Sequence, residues 1–219
     1  MRQHAERLRI VDTSITLDSF LSLLVETPPE IQEGLVRIEC NTDSQLKVSY
    51  REFSIQNEYI DAVTVPSPVW PKRIAGTKHG AWSPYTEARE HAERLGSDLA
   101  LFVHDFAIVD GDRCSPIIMD EDGVLWNSNS PFSIDSVMFH CLRKSLVSAG
   151  FFVQSGLLNE RLVARCSEAI AVGSGVGVFK IESIDSEQIG DGGSRLFDAC
   201  VSLLEEQYAD ETNWTGVWD

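Results

Sequence analysis

The first third of the chain carries two helical patterns and several strand-like runs. Helices are predicted over 2–12 and 17–26, the second because Leu17, Phe20, Leu21 and Leu24 recur at i, i+3, i+4 and i+7. Strands are predicted where apolar and β-branched residues cluster, at Leu35–Cys40, Leu46–Tyr50 and Ile60–Val65. We therefore expect helices packed on a small antiparallel sheet in this part of the chain.

The rest of the chain mixes strands and helices without a regular βαβ rhythm. Helices are predicted over 84–95, 134–148, 158–166 and 193–207. Strands are predicted at Leu99–Val103, Phe106–Val109, Ile117–Met119, Val124–Trp126, Phe151–Gln154, Ala169–Val172 and Val178–Ile184. This irregular order indicates an α+β fold, or an irregular α/β fold, in place of a doubly wound sheet.

A proline-rich segment predicts where the chain divides. Residues 66–72 read Pro-Ser-Pro-Val-Trp-Pro-Lys, and three prolines in seven residues disfavour both helix and central strand. The predicted organisation is a small N-terminal domain over 1–66, a linker over 67–72, a larger domain over 73–208 and an acidic tail over 209–219.

Composition narrows the class of function. The net charge of −16 would repel phosphate backbones and anionic membranes, so we expect neither nucleic acid nor membrane as a partner. Five scattered cysteines without CxxC spacing favour a reducing cytoplasm over a disulfide framework, and no metal site is predicted. No apolar run reaches the roughly 18 residues of a membrane span.

Three runs, in order, resemble the centre of the class IV aminotransferases. They are Lys78-His-Gly-Ala-Trp-Ser-Pro-Tyr85-Thr-Glu-Ala-Arg89, then Leu95-Gly-Ser-Asp98-Leu-Ala-Leu-Phe-Val103, then Ile108-Val-Asp110-Gly111. The family uses pyridoxal 5′-phosphate (PLP) and includes branched-chain and D-amino acid aminotransferases and aminodeoxychorismate lyase. The resemblance implies a small N-terminal α/β domain, incomplete here because the front hairpin of the family is missing, followed by a larger PLP-binding domain.

The resemblance assigns the central chemistry to two residues. Lys78 would hold the cofactor as an internal aldimine and then carry the proton between the substrate α-carbon and the cofactor. Asp110 stands where the family has a glutamate beside the pyridine nitrogen, which a carboxylate keeps protonated. From the residues alone, Lys78 is interpreted as a solvated loop lysine and Asp110-Gly111 as a hairpin turn, and only the resemblance favours the chemical roles.

Binding of the cofactor phosphate is implied for the segment before the helix at 134–148. Ser133, Ile134 and Asp135 replace the Gly-Ile-Thr of the family, and free N–H groups at a helix N-terminus attract anions. The carboxylate of Asp135 would oppose a phosphate there, and the alternative is an ordinary helix cap with Ser133 as N-cap. At the front, His4-Ala-Glu-Arg7-Leu8 matches a family element whose arginine, here Arg7, contacts the phosphate.

Two further segments carry the resemblance. The run Ala169-Ile-Ala-Val-Gly173-Ser174-Gly175-Val-Gly177 would bring Ser174 and Gly175 against the cofactor, and its alternative is a flexible hairpin. We exclude a GxGxxG nucleotide motif because the run leads into a strand in place of a helix. In Leu35-Val-Arg37, Arg37 is a candidate partner for a substrate carboxylate, or a structural residue.

The resulting expectation is a cytoplasmic, homodimeric PLP enzyme acting on an amino acid or an amino-chorismate. The sequence leaves open whether it is an aminotransferase or an aminodeoxychorismate lyase. A second hypothesis is a degenerate, non-catalytic relative that keeps the fold for binding or assembly, as Asp135, Asp110 and the missing hairpin suggest. A third is an unrelated small-molecule binding domain.

Overall fold

The computed structural model describes residues 1–10, 16–31, 33–43 and 45–217. The helices are α1 Arg2–Leu8, α2 Leu17–Glu26, α3 Ser83–Arg94, α4 Val137–Ser148, α5 Glu160–Ala164 and α6 Arg195–Ala209, followed by a 3-10 turn at Glu211–Asn213. The strands are β1 Gly34–Cys40, β2 Leu46–Glu52, β3 Gln56–Pro66, β4 Leu99–His104, β5 Ala107–Gly111, β6 Ser115–Asp120, β7 Val124–Ser128, β8 Phe152–Gly156, β9 Leu158–Asn159, β10 Cys166–Gly173, β11 Gly177–Ile184 and β12 Glu187–Gln188.

A ten-stranded mixed sheet dominates the α+β fold. Its order is β8-β7-β6-β10-β11-β3-β4-β5-β9, with β12 paired to β11. Strand β3 is parallel to both β11 and β4, and β7 is parallel to β8, whereas the other neighbours are antiparallel. Strand β5 also contacts β6, and β7 contacts β9. The sheet therefore curls back on itself and brings the end of β5 close to the start of β6.

Three apolar layers cover the sheet. One cluster, including Leu99, Ile118 and Phe179, fills the inside of the curl. A second packs α4 and α6 on β6, β10 and β11, with Leu142, Ile170 and Leu196 wholly buried. The third places Tyr85, Ala88 and Ala92 of α3 on β3, β4 and β5. Alternation along each strand gives each helix its own face of the sheet to cover.

Strands β1 and β2 form a separate antiparallel hairpin. Val36 lies opposite Tyr50 and Ile38 opposite Val48, so these residues share one face. That face lies toward α2, where the Tyr50 hydroxyl donates a hydrogen bond to the Thr27 carbonyl.

The structure confirms most predicted elements and corrects several. Strand β3 was expected in the small antiparallel sheet, yet it pairs in parallel inside the large sheet. The helix predicted over 158–166 is wrong at both ends, because Leu158 and Asn159 pair with β5 and Cys166 begins β10. Helix α4 begins at Val137, after an extended Ser136 cap.

The two chain ends differ from expectation only locally. Helix α1 ends at Leu8, and residues 11 and 12 of the predicted helix lie outside the described residues, as do 218 and 219 of the acidic tail. In the described part of the tail, Trp214 stacks on Tyr208, with ring centroids 5.3 Å apart. Among the described residues, no helix is long and apolar enough to cross a membrane.

A buried carboxylate holds the start of α6. The N-cap residue Ser194 makes no side-chain cap hydrogen bond. Glu168 of β10 accepts instead from the backbone N–H groups of Leu196 and Phe197, both at 2.7 Å. Burial raises the pKa of Glu168, and the two N–H donors oppose this rise. The carboxylate thus satisfies two of the N–H groups that a helix leaves unpaired at its N-terminus.

Replacing Glu168 by glutamine should destabilise the fold. The amide NH2 would face one of the two N–H donors and leave it unpaired, which costs roughly 1–3 kcal/mol in the free energy of unfolding. Urea unfolding measures this change. Glu187→Gln, on the exposed β12, is the matched control and should leave the midpoint unchanged; equal midpoints for both variants would contradict the capping role.

Candidate functional site

The loop that carries Lys78 is braced from two sides. Gly76 has a φ of 66°, and a Cβ there would lie 2.8 Å from the Pro131 carbonyl oxygen, so the loop packs tightly on the segment before α4. From the other side, the backbone N–H of Lys78 donates to His4 Nδ1 at 3.2 Å. Burial, followed by the N-terminal charge, lowers the pKa of His4, which favours the neutral ring needed to accept this hydrogen bond.

Asp110 is a buried carboxylate at the end of β5. Its Oδ1 accepts from the Gly111 N–H at 3.0 Å and from the Ser115 hydroxyl at 3.3 Å, and its Oδ2 accepts from the Ile134 N–H at 2.8 Å. Burial raises the pKa of Asp110 from 3.8 to about 7 and outweighs these three donors and the smaller effect of the Lys78 charge. Asp110 can therefore hold or release a proton near neutral pH.

The segment before α4 differs from the predicted phosphate site. The Ile134 N–H is already bound to Asp110. The exposed Asp135 carboxylate pairs with His140 Nε2 at 2.6 Å. Ser136, in place of Ser133, is the N-cap and accepts from the Phe139 N–H. The free N–H groups of the helix are then those of its first turn, at Val137 and Met138.

The glycine-rich run forms the hairpin turn between the antiparallel strands β10 and β11. It therefore leads into a strand, which agrees with the exclusion of a GxGxxG nucleotide motif. Gly173 pairs with Gly177, whose φ is 95°. A Cβ on Gly173 would lie 2.9 Å from the Arg113 carbonyl oxygen, so this turn packs against the β5–β6 turn. Ser174 of this turn lines the same cavity as Asp110.

A cavity of about 140 Å³ collects most of the predicted site. Its walls include Lys78, Asp110, Ile134, Asp135 and Ser174. A second cavity of about 220 Å³ shares four wall residues with it and adds Ser133. Together the two volumes come to about 360 Å³, near the low end of the range for small-molecule sites.

Aromatic side chains form one wall of the Lys78 cavity. Trp82 and Tyr85 both line it, with their ring centroids 5.6 Å apart. Tyr85 also packs against Phe102, as its helical spacing predicts, and burial, then the Asp110 charge, raises the pKa of its phenol. Tyr85 thus both packs on Phe102 and lines the cavity.

An ion cluster that the sequence did not reveal lies beside Asp110. Asp112 Oδ2 accepts from Arg89 Nε at 2.9 Å and from Arg113 Nη1 at 3.0 Å. Asp112 Oδ1 is buried and has no hydrogen-bond partner among the described residues. The cluster joins Arg89 of α3 to Asp112 in the turn after β5. These residues are 23 positions apart, so no local pattern of charges predicts their contact.

Two predicted arginines, and one glycine, do not line either cavity. Arg7 donates to the carbonyl oxygens of Lys72 at 3.1 Å and Ala75 at 2.7 Å, so it braces the Lys78 loop in place of the predicted phosphate contact. Arg37 pairs with Glu39 at 2.6 Å. Gly175 follows Ser174 but is not part of the cavity wall. The acceptors of Arg7 lie 65 and 68 residues away along the chain, so its motif does not encode them, whereas the partner of Arg37 is only 2 residues away.

Solved structures share this backbone. A candidate 4-amino-4-deoxychorismate lyase from Legionella pneumophila has a TM-score of 0.80 and 15% identity, covering 94% of this chain and 82% of that one. A PLP-bound hypothetical aminotransferase from Mycobacterium tuberculosis gives 0.79 and 15%, over 95% and 81%. The Escherichia coli branched-chain amino acid aminotransferase gives 0.77 and 13%, over 99% and 81%.

At these identities the likeness establishes the fold. The chain has the fold of the class IV aminotransferases and aminodeoxychorismate lyases, the family that its sequence resembles. No protein-family profile and no curated protein sequence matches the chain.

Asp110 should make the stability of the fold depend on pH. Between its ordinary pKa of 3.8 and its folded value of about 7, the folded state keeps a proton that the unfolded state has released. The free energy of unfolding should therefore fall as pH rises through this window, by about 4 kcal/mol relative to Asp110→Asn.

Chemical unfolding at several pH values measures that difference. Asp135→Asn removes a carboxylate from the same cavity wall, but this side chain is 74% exposed, so it controls for loss of charge. A wild-type profile parallel to that of Asp110→Asn would show that Asp110 does not titrate in this window.

Proposed function

We propose that this chain is a PLP-dependent enzyme of the class IV aminotransferase type, in which Lys78 binds the cofactor aldehyde. The observation that carries the proposal is that the Lys78 amine and the buried Asp110 carboxylate line one cavity, in a chain with this fold. A carboxylate and an amine are the two groups needed at the ring nitrogen and the aldehyde of PLP.

The residues present fit the cofactor, with one change from the sequence expectation. The Ile134 N–H serves Asp110, so the phosphate would be held by the Ser136 hydroxyl, the N–H groups of Val137 and Met138, and Ser174. All four residues line the cavity that contains Lys78. A helix N-terminus of this kind favours a phosphate through its free N–H groups and its dipole.

PLP, when bound, supplies a ring that stabilises negative charge at the substrate α-carbon. The side chains of this protein perform the proton transfers. Lys78 would take the proton from the substrate α-carbon as general base and donate it as general acid to the cofactor. Asp110, with its pKa near 7, holds the proton at the ring nitrogen. The aromatic wall of Trp82 and Tyr85 limits access of water to these groups.

The substrate proposed is a small amine that carries a carboxylate, either an amino acid or an amino-chorismate. The reaction is accordingly a transamination or an aminodeoxychorismate-lyase-type elimination. A cytoplasmic homodimer remains part of the proposal, by analogy with the family.

A second candidate is a non-catalytic relative that keeps the fold for binding or assembly. One observation favours it: Asp110 and the Ile134 N–H, which the resemblance assigns to two different parts of PLP, bind each other at 2.8 Å. The small volume of the Lys78 cavity, about 140 Å³, points the same way. The two candidates differ in whether PLP becomes attached to Lys78.

Mixing the protein with PLP should produce a visible absorption band that borohydride reduction converts into a stable adduct on Lys78. The adduct is located by peptide mass spectrometry. Lys78→Ala should lose both the band and the adduct because no other amine lies beside Asp110 in the cavity wall.

Lys72→Ala is the matched control. Lys72 lies in the same loop but does not line either cavity, so its loss should leave the band and the adduct unchanged. Equal labelling of the wild-type protein and Lys78→Ala would refute the enzyme hypothesis and support the non-catalytic candidate.

A further inference from the structure

The second cavity, of about 220 Å³, is lined mostly by uncharged polar side chains. It lies between the first residues of β6, the last residues of β7 and the segment before α4. Five serines and two asparagines form most of its wall, and we call it the serine cavity. Ser128, Ser130 and Ser133 line the serine cavity and not the Lys78 cavity, so the two are neighbouring spaces.

Three serine hydroxyls in this wall keep a hydrogen that they can donate. Ser128 Oγ accepts from the Ser130 N–H, and Ser130 Oγ accepts from the Phe132 N–H, both at 3.2 Å. In the part of the chain that the structure describes, the hydroxyls of Ser128, Ser130 and Ser133 donate to no protein group. Because a serine hydroxyl carries one O–H donor besides its acceptor lone pairs, the wall offers three donors to a ligand.

The loop that carries these serines is fixed by hydrogen bonds to its surroundings. The Ser133 N–H donates to the Ser130 carbonyl, and the Asn129 N–H donates to the Gly156 carbonyl of β8, both at 3.1 Å. Asn127 Oδ1 accepts from the Ser155 hydroxyl at 2.8 Å. The donors are therefore in place before a ligand arrives, which lowers the cost of ordering them on binding.

The serine cavity also has an apolar side. Pro116 and Ile117 of β6 and Phe139 of α4 belong to its wall, and all three are buried. Hydroxyl and amide groups thus stand opposite an apolar surface. A ligand with C–H groups on its faces and oxygen atoms along its edge matches both kinds of wall.

The charge of the wall favours a neutral ligand. Among the described wall residues, Asp135 is the single charged one, and its carboxylate pairs with His140 Nε2 at 2.6 Å. An anion would therefore find no lysine or arginine to balance its charge, in a chain whose net charge is −16. A cation would gain little from a carboxylate that is exposed and already paired.

We propose that the serine cavity is a binding site for a neutral ring that carries several hydroxyl groups, either a cyclic polyol or a monosaccharide. The volume of about 220 Å³ corresponds to roughly seven water molecules at about 30 Å³ each, which the ring and its hydroxyls would displace. The ring faces lie against Ile117 and Phe139, and the ring oxygens accept from the serine hydroxyls. This site goes beyond the proposed function and does not depend on it.

The side-chain amides of Asn127 and Asn129 report on the serine cavity in a nuclear magnetic resonance titration. The protein, labelled with ¹⁵N, is titrated with myo-inositol and, in parallel, with D-glucose. We expect one of the two to shift both amide signals with a Kd on the order of 1 mM, because neutral hydrogen bonds contribute little each. The tighter of the two distinguishes a cyclic polyol from a monosaccharide.

Two further probes test the class of ligand. Cyclohexanol has the same ring size but one hydroxyl, and it should bind at least about tenfold more weakly than the tighter polyol. Inorganic phosphate carries the negative charge that the wall does not balance, and it should not shift the two asparagine amides.

Variants locate the ligand. Ser130→Ala removes one hydroxyl donor and should weaken binding by roughly two- to tenfold. Because it also removes the acceptor of the Phe132 N–H, a second variant, Ser133→Leu, narrows the cavity without that loss and should abolish binding. Ser148→Ala, at the far end of α4, and Lys78→Ala, in the other cavity, are controls that should bind as the wild type does. Circular dichroism checks that each variant folds.

Several results would overturn the proposal. One is the absence of any amide shift with either polyol at roughly 10 mM, ten times the expected Kd. Another is phosphate that binds more tightly than both polyols. Unchanged binding in Ser130→Ala and Ser133→Leu, or loss of binding in Lys78→Ala, would place the ligand elsewhere. Labelling of Lys78 by PLP is a separate measurement, so either proposal can fail while the other stands.

Discussion

The Asp110 carboxylate accepts hydrogen bonds from three parts of the chain: its own turn, the start of β6 and the segment before α4. Each donor comes from a wall of the cavity, so these bonds set the distances between the walls. The carboxylate remains in this position although burial disfavours its charged form. The shape of the site therefore depends on a group whose protonation is balanced near neutral pH, and a cofactor that altered this balance would also act on the walls.

Local sequence patterns predicted most helices and strands because their periodicity depends only on residues close together in the sequence. The strand that ends beside Asp110 and the next strand along the chain were found in this way. Two of the failures have the same cause. Leu158 pairs with β5, and β3 enters the large sheet, through contacts between distant residues. Propensity is a weak prior where tertiary pairing decides the outcome.

The candidate site shows the same limit at the level of single side chains. Motif order singled out Lys78 and Asp110, which line one cavity, but it did not predict the contacts of the arginines. Arg7 donates to two backbone carbonyl oxygens and Arg37 pairs with Glu39, and neither arginine lines a cavity. The acceptors of Arg7 lie 65 and 68 residues away along the chain, and sequence spacing does not contain that information.

Gly76 joins two functional segments that are far apart in the sequence. A Cβ there would come within 2.9 Å of the carbonyl oxygens of both Pro131 and Ser133. The lysine loop and the segment before α4 are therefore in close backbone contact. A change in the path of either segment has to be matched by a change in the other. Residues 72–78 and 130–136 consequently form one unit that has to be exchanged together when chimeras are built on this fold. Exchange of one segment without the other would misplace the Lys78 amine.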